Sequence, residues 1–235
     1  MNYKYFPLFF IVLLMSFTNL PNKFNSAEIN SKTETNSVSK NVSIYNQLDA
    51  NSFVLPSFDC FNLALDGFHL LKEKGLVQKN ILTVIDFSLS SNMKRLWVID
   101  LDKKIILFQT LVAHGRNTGD EFANQFSNKA ASFKSSIGFY ATAEIYDGKH
   151  GKSLKLDGLE KGLNDKARER AVVIHGADYV SETFIKQNKR LGRSQGCPAI
   201  PVEMNAKIIN VIKDKSCLFI YHPSAANQII SGLAS

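Results

Sequence analysis

The chain has 235 residues, 45% of them hydrophobic and 21% charged, the composition of a globular domain of roughly 150–200 residues that buries its own core without a disulfide framework. Lys and Arg (28) exceed Asp and Glu (21), for a net charge of +7. The basic residues (Lys72, Lys74, Lys94, Arg95, Lys103, Lys104) are scattered, which argues against a nucleic-acid footprint and leaves an anionic polymer compatible as partner.

In chain order, residues 1–27 read as a secretory signal: Lys4, then the uncharged apolar stretch Phe6–Phe17, shorter than the ~20 residues that span a bilayer. This predicts an exported, periplasmic protein with no transmembrane domain after cleavage. Residues 28–57 begin with a Ser/Asn/Thr-rich run poor in apolar residues and are expected to be a flexible linker. Residues 58–223 form the predicted domain and 224–235 a tail. Phe58, Phe61, Leu65, Phe68 and Leu71 recur at helical spacing, with Gly75 as the stop. Ile81–Phe87, Arg95–Asp100 and Ile105–Val112 read as strands, the last two as a hairpin around residues 101–104. Ile137–Ile145 and Ala171–His175 are further strands, Met204–Lys213 a helix, and Cys217–Tyr221 a final strand. The fold class expected is mainly β, a sandwich or barrel with helical additions.

Three cysteines in an exported chain leave at least one thiol unpaired. Cys60 and Cys217 sit in apolar patterns and read as buried thiols, although they could pair. Cys197 differs: it lies in Gly192-Arg193-Ser194-Gln195-Gly196-Cys197-Pro198, a Gly- and Pro-punctuated loop that exposes a side chain on a rigid scaffold. His175 ends an apolar strand and is followed by Gly176, where a substrate or backbone can approach closely. A free thiol is mostly protonated at neutral pH and needs a base or cation beside it. His175 and Arg193 are the candidates, and the Gly196–Cys197 N–H groups are candidates for an oxyanion hole. His114 and Tyr140 are possible groove residues, each with a structural alternative. The His and Cys spacing matches no metal motif, so no metal is expected.

The run His175-Gly176, a variable stretch, then Ser194-Gln195-Gly196-Cys197 resembles the active-site signature of the YkuD-like L,D-transpeptidases. The stretches LTVIDFS (82–88), RLWVIDL (95–101), VAHGRNTG (112–119), RAVVIHGADYVS (170–181) and GRSQGCPAIP (192–201) resemble the murein L,D-transpeptidase catalytic domain branch. The resemblance implies a YkuD-like β-sandwich or barrel and Cys/His acyl transfer without metal or organic cofactor. Cys197 would form a thioester with a peptidoglycan stem tetrapeptide, D-Ala would leave, and a neighbouring stem amine would resolve the thioester into a 3-3 cross-link. It also implies acylation by a β-lactam of the carbapenem class. Water or a wall protein as acceptor would make the same thioester serve an L,D-carboxypeptidase or protein attachment; a non-catalytic wall-binding module is the alternative without turnover. One position departs from the pattern. Where the family commonly has Arg two residues after the Cys, this chain has Ala199, and Arg193 is the expected substitute for contacting a substrate carboxylate.

Overall fold

In the computed structural model, which describes residues 39–149 and 151–225, one mixed sheet of eight strands organises the chain. The strands are β1 (Ile81–Asp86), β2 (Leu96–Asp100), β3 (Ile105–Thr110), β4 (Gly138–Gly148), β5 (Gly151–Gly158), β6 (Val173–Gly176), β7 (Ala199–Ile200) and β8 (Cys217–Tyr221). Their order is β3-β2-β1-β8-β4-β5-β6-β7. The β1–β8 and β6–β7 pairs are parallel and the others antiparallel. The two ends of the sheet meet: Ala113, just beyond β3, bridges Ala199 of β7, its N–H donating to the Ala199 carbonyl at 2.8 Å. That contact curls the sheet towards a barrel and satisfies backbone groups that two open edges would leave bare.

Among the described residues there are four α-helices, α1 (residues 39–46), α2 (Phe58–Glu73), α3 (Glu182–Asn188) and α4 (Val202–Ile212), of which α2 and α4 pack on the sheet. The periodicity predicted for α2 is realised. Phe61, Ala64, Leu65, Phe68 and Leu71 are buried, the Ser57 hydroxyl accepts the Cys60 N–H as N-cap, and Gly75 turns the chain at φ +70°. Each large apolar side chain buried this way contributes roughly 1.5–3 kcal/mol. Gly67 lets α2 approach the Phe139 ring, where a Cβ would lie 2.0 Å from a ring carbon. Phe139 stacks on Phe219 with centroids 4.2 Å apart, tying β4 to β8. Ile208, Ile209 and Ile212 of α4 complete the core. The hairpin β2–β3, β1, β4 and β8 fall within a few residues of their predicted positions; β5, β7 and α3 are additional.

The expected secretory signal, residues 28–38 of the expected linker and the chain after residue 225 lie outside the described residues. Residues 39–57, expected in the linker, are instead part of the folded body. Asn41 donates to Asn62 and Asp66, the Tyr45 ring packs on Phe58 and Phe61, Asp49 bridges Ile105, and the Trp97 indole donates to the Val54 carbonyl. All three cysteines are free, with Cys60 and Cys217 buried in the core. Among the described residues no helix is long and apolar enough to cross a membrane.

Candidate active site

The parallel pairing of β6 with β7 sets His175 opposite Ala199, two residues beyond Cys197. The sheet therefore brings a strand-end imidazole and the loop thiol to one cleft of about 510 Å³, which both line. The loop before Cys197 is pinned from both sides. The Ser194 N–H donates to the His114 carbonyl at 2.9 Å, and the Ser194 carbonyl accepts the Arg116 N–H at 2.8 Å. The Ser194 hydroxyl then buckles the turn, donating to the Cys197 carbonyl at 2.6 Å and accepting the Gly196 N–H at 3.0 Å. Gly196 sits at φ +124°, where L side chains are strained, and a Cβ there would lie 2.8 Å from the Lys134 carbonyl. The sequence Ser-x-Gly-Cys is thus a rigid turn that holds one thiol in place.

The Cys197 thiol donates to the Ala171 carbonyl at 3.6 Å and receives the Val173 N–H at 3.5 Å. Burial pushes its pKa up, and the Val173 N–H and the Arg170 charge pull it back down. Burial dominates, so the resting group is the thiol, and forming the nucleophilic thiolate requires a base. His175 lines the same cleft. Its Nδ1 faces the Gly176 carbonyl at 3.0 Å, and since a carbonyl only accepts, Nδ1 carries the proton and Nε2 is the basic nitrogen of the neutral ring. The Cys197 N–H has no acceptor among the described residues and is free to face an oxyanion.

The other expected site residues fall differently. Gly196 does not line the cleft, and its N–H is engaged by the Ser194 hydroxyl, so it is not an oxyanion donor. Gly176 packs against α4, where a Cβ would stand 3.2 Å from Val202 and Asn205, so it serves close packing and not substrate approach. Arg193 lines the cleft, but its Nη1 is held by the Arg116 and Gly119 carbonyls and by Asp120 at 2.6 Å. Its charge is paired with an acid and clamps the 116–120 loop.

His114 and Tyr140 are both buried and outside the cleft lining. Arg95 Nη2 donates to His114 Nδ1 at 2.8 Å, and Nε2–H donates to the Gly119 carbonyl. Burial first, and then the Arg95 charge, bring His114 down to about 4. The Tyr140 hydroxyl is held by Ser136 inside the core.

The residue missed in the sequence is Arg170. It lines the cleft, its Nη2 lies 3.3 Å from where a Gly196 Cβ would be, and its charge bears on Cys197. Its place in Lys166-Ala167-Arg168-Glu169-Arg170 reads as a solvated charged stretch, and only its position just before the His175 strand hints otherwise. Lys149 and Tyr146, from the β4–β5 hairpin, Tyr179 and Gln195 add to the polar lining, and among the described residues no Asp or Glu lines the cleft. Among the described residues no group of three His, Cys, Asp or Glu is placed to hold a metal.

A thiol held in a tight turn, an imidazole with Nδ1 on a carbonyl and a Cys197 N–H with no acceptor among the described residues are the parts that acyl transfer uses, set here on a mainly β domain. The model of the L,D-transpeptidase catalytic domain matches residues 55–221, and the chain belongs to that family. Solved structures similar to it include an L,D-transpeptidase from Mycobacterium smegmatis (10% identity, 61% of this chain and 59% of that one, TM-score 0.38). Others are L,D-transpeptidase 3 from Mycobacterium tuberculosis (9%, 61% and 61%, TM-score 0.39) and the L,D-transpeptidase of Xylanimonas cellulosilytica, residues 123–326 (13%, 61% and 61%, TM-score 0.34). The chain spans less than two thirds of the length of each. Among curated proteins there is no significant match.

Proposed function

We propose that the protein is an exported L,D-transpeptidase that cross-links peptidoglycan through a thioester on Cys197. The observation that carries this reading is the shared cleft of Cys197 and His175, with Nδ1–H of the imidazole held by the Gly176 carbonyl. Membership of the L,D-transpeptidase catalytic domain family supports the reaction class. His175 Nε2 takes the thiol proton, and the thiolate attacks the carbonyl joining the stem diamino acid to D-Ala. The carbonyl oxygen becomes an oxyanion facing the Cys197 N–H. The C–N bond breaks as His175 returns the proton to the leaving amine, so D-Ala departs and the thioester remains. A side-chain amine of a neighbouring stem then attacks, His175 accepts its proton, the C–S bond breaks and the thiol is restored. The product is a 3-3 cross-link.

The test is incubation of the purified protein with disaccharide tetrapeptide muropeptides, the products being separated and weighed. A cross-linked dimer with release of one D-Ala, absent with Cys197→Ser, is the result expected. Tripeptide alone assigns the water-accepting carboxypeptidase reaction, and unchanged muropeptides with folded protein overturn both in favour of a wall-binding module.

A further inference from the structure

Arg170 is a half-buried cation with no acidic partner among the described residues. Its Nη1 donates to the Ser127 carbonyl at 2.8 Å and the Ser136 hydroxyl at 3.2 Å, and its Nη2 to the Lys134 carbonyl at 2.6 Å. The remaining contact, to the Ser132 hydroxyl, is 3.5 Å long, and Nε–H has no acceptor among the described residues. No carboxylate pairs with it there, whereas Arg168 is paired with Glu144 and Asp157, and Arg193 with Asp120. Withdrawing a guanidinium from water against neutral acceptors alone is unfavourable, and the edge formed by Nε–H and the weakly held Nη2–H is suited to a carboxylate. The resting Cys197 is a thiol that donates to the Ala171 carbonyl, so it does not supply the missing anion. Nor does the cleft wall, which among the described residues carries Lys149, Arg170 and Arg193 and no acid. Among the described residues nothing supplies the counter-charge, which leaves that part to a ligand.

We propose that Arg170 is a specificity-determining residue of this cleft, its guanidinium binding a free carboxylate of the acyl donor while the scissile carbonyl sits at Cys197 Sγ. The proposal rests on the acyl-transfer reading above. It gives the role expected of Arg193 to an arginine from another segment, held rigidly by the 127–136 loop. The carboxylate is either that of the leaving residue or that on the stem diamino acid, and the same chemistry serves both.

Three synthetic stem tetrapeptides distinguish the sources: the free acid, one amidated at the leaving residue and one amidated on the diamino acid. Wild-type kcat/KM should fall by about 10- to 100-fold in one amidated arm, the scale of one charged hydrogen-bonding contact, and that arm identifies the carboxylate. Arg170→Gln should lose a similar factor on the free acid and show no further loss on amidation. Arg170→Lys, which keeps the charge, should retain part of the discrimination.

An arginine that merely clamps the loop would lower all three donors equally, so full discrimination in Arg170→Gln overturns the proposal. So does a wild-type enzyme that turns over all three peptides alike, a result that does not depend on any variant folding. A wild-type protein inactive on every peptide, with Cys197 unmodified, overturns the acyl-transfer reading itself and this proposal with it.

Discussion

Two sets of arginine and histidine among the described residues are built to opposite ends. Arg95 and His114 are sealed in the interior. Arg95 donates to the Leu89 and Val112 carbonyls and to His114 Nδ1, lies over the Phe87 ring, and leaves His114 Nε2–H to the Gly119 carbonyl. Both ring nitrogens are engaged, and the pair braces the segment whose His114 carbonyl anchors Ser194. Arg170 and His175 instead line an open cleft. His175 has Nδ1 fixed by a carbonyl, and Arg170 carries a charge that no acid among the described residues neutralises. The same residue types are structural where they are sealed in the interior, and suited to chemistry where the fold sets them in the wall of an open cleft.

The sharpest way to break this contrast is to exchange the consequences. His175→Gln should lower turnover by about 10²–10⁴-fold, the usual worth of a general base, with Tm nearly unchanged. A comparable loss of stability would make His175 a second structural histidine. Arg95→Met should do the reverse. It strips donors from two buried carbonyls and from His114, and should cost about 3–5 kcal/mol by urea unfolding. Wild-type stability in that variant would dissolve the distinction.

Acidity sharpens it further. His114 is held down at about 4 from an ordinary 6.5, so the unfolded chain takes up its proton first and stability falls as pH drops from 6.5 towards 4. Glu160 is pushed up to about 7 from 4.5 by burial, so the folded chain takes up its proton first and stability rises as pH drops from 7 towards 4.5. Between pH 7 and pH 5 the contributions of these two groups oppose each other and nearly cancel. Glu160→Gln should lose about 2 kcal/mol on going to pH 5, and His114→Gln should gain about as much; parallel urea titrations of the three proteins check the signs. The smallest effect is expected of Ser194→Ala, which removes the buckle of the Cys197 turn. It should cost about 1–2 kcal/mol and lower turnover without shifting its pH dependence.

How far the sequence could be read follows from where each signal resides. Cys197, His175 and Ser194 were legible because Gly and Pro mark a loop around a thiol and an apolar run delivers a histidine to a strand end. Arg170 was not, because its meaning comes from the 127–136 loop, more than thirty residues away in sequence, folding over it. β5 was hidden because its inward pattern rests on Leu154 and Leu156 among Lys152, Lys155 and Asp157, and α3 because it buries no residue at all. Residues 39–57 looked like a tether because Ser and Asn dilute the few side chains, Tyr45 and Leu48 among them, that pack on the domain. The role expected of Gly176 was misplaced for a related reason: the backbone that needs its smallness belongs to α4, which nothing next to it in sequence announces.

The most direct test of the central claim, that Cys197 is the nucleophile of this cleft, is intact-protein mass spectrometry after exposure to a carbapenem. The account predicts one covalent adduct on the wild type, mapped to Cys197 by peptide digestion, and none on Cys197→Ser. An adduct that persists in Cys197→Ser, or folded wild-type protein that turns over muropeptides and yet maps its acyl group to another residue, would contradict it.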